Sequence, residues 1–198
     1  YFFLQSNYFC PANGLVLDPF CGTGTVMLEA NVSGRSAIGA DANPLAVLIA
    51  QVKTTYIPSE KLQRTLFSVL SRAQRSNAEA SESTESIQRW FSPSTITQLT
   101  RLEESIGKIK SCEQRKFFLL CFSNLIKKVS FADPSISVPV KLNPERFIKN
   151  PERKKATEFK LQTLQCIDVY DKFEDICKLN IRRIESLRPI KEMGVATE

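Results

Sequence analysis

The spacing of apolar and polar positions changes several times along this chain, and each change marks an element. After Pro11-Ala12-Asn13-Gly14, the run Leu15-Val16-Leu17 is short, continuous and apolar, and it closes on Asp18. A run of that length between turn residues predicts a strand. Asp18 to Thr25 reads as a glycine-containing turn. Val26, Met27, Leu28 and Ala30 then open a helix, and Ser36 to Ala40 forms a second strand that ends in Asp41. Asn43 is suited to cap the next helix and Pro44 to its first turn. The apolar residues of that helix, Leu45 to Val52, are nearly continuous, which predicts burial on a sheet. Upstream, the aromatic stretch Tyr1 to Phe9 reads as the end of a helix packed on the same sheet.

Beyond Ser59 the period becomes helical. Leu62, Leu66, Val69, Leu70 and Ala73 recur at three- and four-residue steps. Asn77 to Ser86, rich in Ser, Ala and Glu, carries no core-forming residues and predicts a mobile linker. Ser92-Pro93 starts a helix faced by Ile96, Leu99, Leu102, Ile106 and Ile109. Ser111 to Lys128 forms another, on Phe117, Phe118, Leu120, Cys121, Leu125 and Ile126. Val129 to Phe147, with three prolines, predicts an extended ordered loop. Asn150-Pro151 begins one long helix running to about Arg188, with Phe159, Cys166, Tyr170, Phe173, Cys177, Ile184 and Leu187 near a coiled-coil repeat. The terminal Met193-Gly194-Val195 stretch reads as the approach to a third strand.

The chemistry concentrates between Gly14 and Pro44. Gly22 and Gly24 allow a tight bend and a close ligand approach. The turn presents free N–H groups at a helix N-terminus, in the crevice beyond the carboxyl ends of parallel strands where open α/β sheets bind ligands. Asp41 lies about 20 residues past the turn, where such folds place an acid against ribose hydroxyls. The third glycine of the dinucleotide fingerprint is replaced by Met27, and no Gly-Lys-Ser/Thr follows, so neither that fingerprint nor a phosphate loop is present. An acid ahead of the glycines suits a ligand end that donates hydrogen bonds or carries positive charge, rather than a pyrophosphate. The plain alternative is a turn that only closes a strand–helix unit, which would need neither aspartate.

The sequence Asp18-Pro19-Phe20-Cys21-Gly22-Thr23-Gly24-Thr25, followed by Gly39-Ala40-Asp41-Ala42-Asn43-Pro44, resembles the cofactor motif of S-adenosylmethionine-dependent amino-group DNA methyltransferases. These enzymes modify adenine or cytosine. The resemblance implies an α/β fold, a partial Rossmann-like methyltransferase sheet with a large all-helical insert. Residues 1–58 would be its cofactor-binding part, 59–188 the insert and DNA-recognition region, and 189–198 the start of a return to the sheet. It implies S-adenosylmethionine as cofactor and DNA as partner. Asp18 and the turn Pro19, Phe20, Cys21, Gly22, Thr23, Gly24 and Thr25 would hold the methionine end. Asp41 would take the ribose hydroxyls, and Ala42 and Asn43 would lie beside the adenine. The run from Trp90 to the proline-rich loop resembles a helical insert in a subset of the same enzymes.

That family also needs a catalytic tetrapeptide, Asp/Asn/Ser-Pro-Pro-aromatic, to accept hydrogen bonds from the target amine and to stack on the flipped base. The chain has no Pro-Pro pair, and Asp133-Pro134-Ser135-Ile136 is the nearest approach. No catalytic residue is assigned here. Two strands bury little apolar area and leave edges to cover. The expectation is therefore a fragment, or a chain whose sheet is completed by a second copy or another polypeptide. Rival readings are a transfer-RNA guanine-amino methyltransferase and a non-catalytic nucleic-acid-binding subunit that kept the fold.

Composition narrows this only a little. A net charge of +6 over 198 residues, with 42% hydrophobic residues, suits a cored protein with an acidic partner such as DNA. Six cysteines without a Cys-x-x-Cys pair, and no histidine, point to reduced thiols in a cytoplasmic protein and away from zinc. The absence of histidine also removes the commonest general base. Trp90 and Phe91 read first as packing anchors and second as base-stacking groups. Lys127-Lys128, at a helix C-terminus, and the basic start Lys149, Arg153, Lys154 and Lys155 read first as solvated charges and second as phosphate contacts.

Overall fold

The computed structural model describes residues 10–79, 85–136 and 138–186. The expected helix end at Tyr1–Phe9 and the expected return to the sheet at 189–198 lie outside the described residues. The chain divides into two compact units: Tyr1–Thr65 with Lys110–Leu120 and Lys178–Glu198, and Leu66–Ile109 with Cys121–Cys177. Most described residues are helical, and the sheet has two strands.

In the first unit, β1 (Leu15–Asp18) and β2 (Ser36–Gly39) pair in parallel, Leu15 opposite Ser36 and Asp18 opposite Gly39. The crossover between them is α1 (Thr25–Val32). Side chains alternate across a strand. Ala37 and Gly39 share the side on which α1 lies, since a Cβ on Gly39 would meet the Met27 sulfur of α1. The opposite side carries Leu15, Leu17 and Ile38, which are 62%, 69% and 55% exposed. Arg35, buried just before β2, donates from Nε and Nη2 to the Cys10 carbonyl (3.1 and 2.8 Å) and from Nη1 to the Ser33 carbonyl (2.9 Å). It thereby fixes the chain entering β1 to the chain leaving α1.

The next helix, α2 (Pro44–Thr54), starts as the sequence predicts: Asn43 Oδ1 accepts from the Leu45 N–H (3.0 Å) and Pro44 fills the first turn. It packs against α1 and the turn before it, where Ala50 lies against Gly24; Ala46, Ala50 and Val52 are buried while Leu45 stays exposed.

Three longer helices follow at the expected places: α3 (Ser59–Arg75), then, after the short α4 (Glu85–Gln88), α5 (Pro93–Gly107) and α6 (Cys112–Val129). In the first unit, Phe117 and Phe118 are fully buried in an edge-to-face pair with centroids 5.1 Å apart, an arrangement ring quadrupoles favour. In the second unit, Leu66, Val69 and Ala73 of α3 and Ile96, Leu99, Leu102 and Ile106 of α5 are buried at the predicted spacing. Of the linker or loop expected over 77–86, 77–79 is non-helical, 80–84 lies outside the described residues, and Glu85 and Ser86 open α4. No described helix is long and apolar enough to cross a membrane.

Of the loop expected over 129–147, Val129 ends α6, Pro144–Phe147 forms a short 3-10 turn, and the other described residues are non-helical. Ala132 bridges Lys141 in antiparallel fashion, and the Phe131 N–H donates to the Trp90 carbonyl (2.8 Å). Phe131 and Leu142 pack with Leu164, Leu161 and Ile167. Trp90 is half-buried, and its N–H donates to the Ile87 carbonyl (2.9 Å). None of the six cysteines, all among the described residues, forms a disulfide. Burial, and then a hydrogen bond with Cys121, push the Cys177 thiol far above its usual range.

The single long helix expected over 150–188 is instead two, α7 (Pro151–Gln165) and α8 (Val169–Glu185). Asp168 divides them: its Oδ1 accepts from the Tyr170 N–H (2.8 Å) and the Asp171 N–H (3.2 Å), capping α8. The coiled-coil repeat fails with the break. Phe159 is 72% exposed and Cys166 is exposed, whereas Phe173, Ile176 and Cys177 are buried. Asp168→Ala is expected to cost about 1 kcal/mol of stability. Urea unfolding measures it, and an unchanged midpoint would show that the cap is idle.

Candidate cofactor site

The site is assembled where the two strands end side by side. The Ala40 N–H donates to the Asp18 carbonyl (3.0 Å), and the Cys21 N–H donates to the Ala40 carbonyl (2.9 Å). The glycine turn is thus stitched to the end of β2. Asp41 closes the stitch. Its Oδ2 accepts from the Gly22 N–H (2.9 Å) and its Oδ1 from the Asn43 N–H (2.8 Å). The two aspartates that end the strands therefore belong to one hydrogen-bonded construction.

The turn's backbone explains its residues. Gly22 and Gly24 have φ of +49° and +76°, a region that costs residues with a Cβ about 1–2 kcal/mol. A Cβ on Gly24 would lie 2.6 Å from the Ala50 Cβ and 2.8 Å from its Cα, so here α2 presses directly on the turn. A Cβ on Gly22 would meet nothing within 4 Å, leaving open space above that peptide.

The other expected residues sort by direction. Pro19, Phe20, Thr23 and Thr25 are exposed, Phe20 at 88%. Cys21 is buried, with Sγ within 3.8 Å of the Gly22 carbonyl, so it packs rather than presenting a nucleophile. Ala42 and Asn43 are exposed, though the Asn43 side chain is taken up by capping α2. Asp18 Oδ1 accepts from the Phe20 N–H (3.2 Å), and Asp18 Oδ2 has no partner among the described residues.

One residue escaped the sequence reading. Lys53 Nζ donates to Thr23 Oγ1 (3.3 Å), bringing an ammonium to the turn from the last turn of α2. The helical phase was legible: Lys53 is the one basic residue in that last turn.

Two N–H donors use one lone pair on each Asp41 oxygen, and each oxygen keeps a second. A vicinal diol supplies two hydroxyl donors, so the carboxylate fits a ribose. Asp18 Oδ2 fits an ammonium, and Lys53 a carboxylate. With the open space at Gly22, the donor set matches a nucleoside bearing an amino-acid tail.

Asp133, the nearest approach to a catalytic loop, is committed to its own turn. Its Oδ1 accepts from the Ser135 hydroxyl (2.6 Å) and N–H (3.0 Å), which hold its carboxyl below the usual range.

Residues 7–52 match the family model described as DNA methylase. Over these residues the chain is similar to that family. The matched segment contains the whole strand–turn–helix–strand unit and all but the end of α2. The chain is also similar to the type II methyltransferase M.MvaI of Kocuria varians, 27% identical over 122 residues, or 57% of this chain. To the type II methyltransferase M.MjaII of Methanocaldococcus jannaschii it is 31% identical over 71 residues, or 36% of this chain. It spans 27% of the length of the first relative and 13% of the second. No solved structure matches it significantly.

Proposed function

We propose that this chain is the cofactor-binding part of a DNA methyltransferase that uses S-adenosylmethionine and acts on the exocyclic amine of adenine or cytosine. The observation that carries the reading is the bond from the Gly22 N–H to Asp41, which joins the second acid to the glycine turn. Asp18, with the turn from Pro19 to Thr25, receives the methionine end, and Lys53 meets its carboxylate. Asp41 takes the ribose hydroxyls, and Ala42 and Asn43 flank the adenine. When bound, the cofactor supplies a methyl group on a sulfonium. The residues of this chain bind and orient it, and the groups that hold the target amine lie elsewhere.

The sheet is read as part of a larger Rossmann-like one. Parallel sheets are stable with both faces covered, and the exposed Leu15, Leu17 and Ile38 support that reading. The helical region over 59–188 is read as the DNA-facing insert. DNA is favoured over transfer RNA by the family model that residues 7–52 match.

Titration calorimetry with S-adenosylhomocysteine tests the cofactor reading. Saturable binding is expected, and no detectable heat with a folded chain overturns it. Lys53→Met is expected to weaken that binding about tenfold, within the range for a hydrogen bond to a charged group, without moving the unfolding midpoint. Equal affinity would remove Lys53 from the site.

A further inference from the structure

The second unit contains a charged cleft of its own. Along α3 and α5, Arg72 Nη2 donates to the Ser105 carbonyl (3.0 Å), and the Ser76 hydroxyl donates to Glu104 Oε2 (2.8 Å). A cleft of about 640 Å³ opens there, lined by Phe67, Ser71, Arg72, Arg75, Glu104 and Lys108 among others. Ligand-sized clefts occupy about 300–1,000 Å³.

The charges in the cleft do not cancel. Glu104 Oε1 takes the Lys108 ammonium at 2.7 Å. Bonds from Lys108 and Ser76 hold its carboxyl below the usual range, so Glu104 stays ionised and offsets Lys108. Arg72 and Arg75 are left without a carboxylate among the described residues. The Arg72 Nε–H is buried and has no acceptor among them either. A buried donor left unmet is unfavourable, and an anionic oxygen would satisfy it with a charge-assisted bond. Arg75 is exposed and stands three residues on, on a neighbouring part of the helix surface.

Phe67 adds an exposed ring to the charged cleft. It is 75% exposed on the cleft wall, and Phe67, Ser71 and Arg75 follow one another at four-residue steps along α3. An exposed ring beside two guanidinium groups suits a ligand that alternates phosphate with flat or apolar surface. An acidic peptide offers the charge without that alternation.

We infer that this cleft holds a phosphodiester of DNA, with Arg72 and Arg75 on phosphate oxygens and Phe67 against the adjoining nucleoside. The identity of the partner rests on the DNA methylase reading above, whereas the cleft and its charge do not. Arg72 also supports the fold through Ser105, so the test uses the two exposed residues.

Fluorescence anisotropy of the full chain with a labelled duplex, between about 50 and 200 mM salt, reads the contact. Arg75→Ala is expected to weaken binding about 5- to 10-fold and to reduce the slope of log affinity against log salt by about one. Phe67→Ala is expected to weaken it about fivefold or more with the slope unchanged. Arg115→Ala removes equal charge from an exposed position outside the cleft, and is expected to do neither. If Arg115→Ala matches Arg75→Ala, or both cleft variants bind like the parent chain, the inference is overturned and the cofactor reading stands. If polyglutamate at equal charge displaces the duplex as well as unlabelled duplex does, the cleft is a general anion site and the inference also falls. A parent chain that binds S-adenosylhomocysteine but no duplex overturns the DNA part of both readings.

Discussion

Gly24→Ala is expected to destabilise the chain by about 2–5 kcal/mol, the largest effect of any single added methyl group in the turn. Two costs combine. At φ +76° the new Cβ pays the left-handed penalty of about 1–2 kcal/mol. It must also displace the Cβ and Cα of Ala50, at 2.6 and 2.8 Å, and overpacking of this kind costs about 1–3 kcal/mol. The Ala50 Cα is backbone in the middle of α2, so no rotamer change relieves the contact and the helix itself must shift. Gly22→Ala supplies the internal comparison. It carries a similar left-handed penalty at φ +49° but meets nothing within 4 Å, so about 1–2 kcal/mol is expected. Urea unfolding followed by circular dichroism separates the two. Equal midpoints would show that α2 does not press on the turn, and the account of why this loop takes its shape would be wrong.

The same comparison shows which information the chain carries locally. β1, the turn, α1 and β2 were legible because each is set by residues within a few positions: an apolar run, two glycines at positive φ, an aspartate at each strand end. The cap of α2 by Asn43 and Pro44 was legible for the same reason. The helices α3, α5 and α6 appeared through their buried stripes. What failed depended on partners distant in sequence. The run Leu45–Val52 marked a helix but not where it would press: Ala50 of α2 lies against Gly24, far earlier in the chain.

The break between α7 and α8 failed for a related reason. A heptad pattern passing through Cys166 and Tyr170 concealed Asp168, whose side chain caps the new helix. Ile167, beside it, joins the Phe131–Leu142–Leu164 cluster, a contact no window around the break contains. At the site, the two aspartates were named from sequence, but their connection was not. The Gly22–Asp41 bond spans nineteen residues and exists only once β1 and β2 have paired. Lys53 was missed because its partner Thr23 is thirty residues away.

That long-range bond makes Asp41→Asn the most demanding test of the cofactor reading. It is expected to lower affinity for S-adenosylhomocysteine about 100-fold, equivalent to about 2.7 kcal/mol. The carboxylate accepts from two fixed backbone donors, Gly22 N–H and Asn43 N–H, and offers its remaining lone pairs outward. An amide has one oxygen, so whichever way it turns, its NH₂ faces one of those N–H groups. One donor is orphaned, and one of the two diol acceptors becomes a donor. Hydrogen bonds to charged groups are worth about 1.5–3 kcal/mol each, so losing one such bond and weakening the other accounts for the expected drop. A loss of fold would also abolish binding, which is why the unfolding midpoint must be read alongside. Because Asp41 is only half-buried, the stability cost should stay near 1 kcal/mol, in the range of one exchanged hydrogen bond. Asp41→Glu restores the charge but sets it one methylene further out, where it cannot meet both N–H groups in the same geometry, so only partial recovery is expected. Asp41→Asn that binds within twofold of the parent chain, with its midpoint unchanged, would mean that this carboxylate braces the turn and touches no ribose.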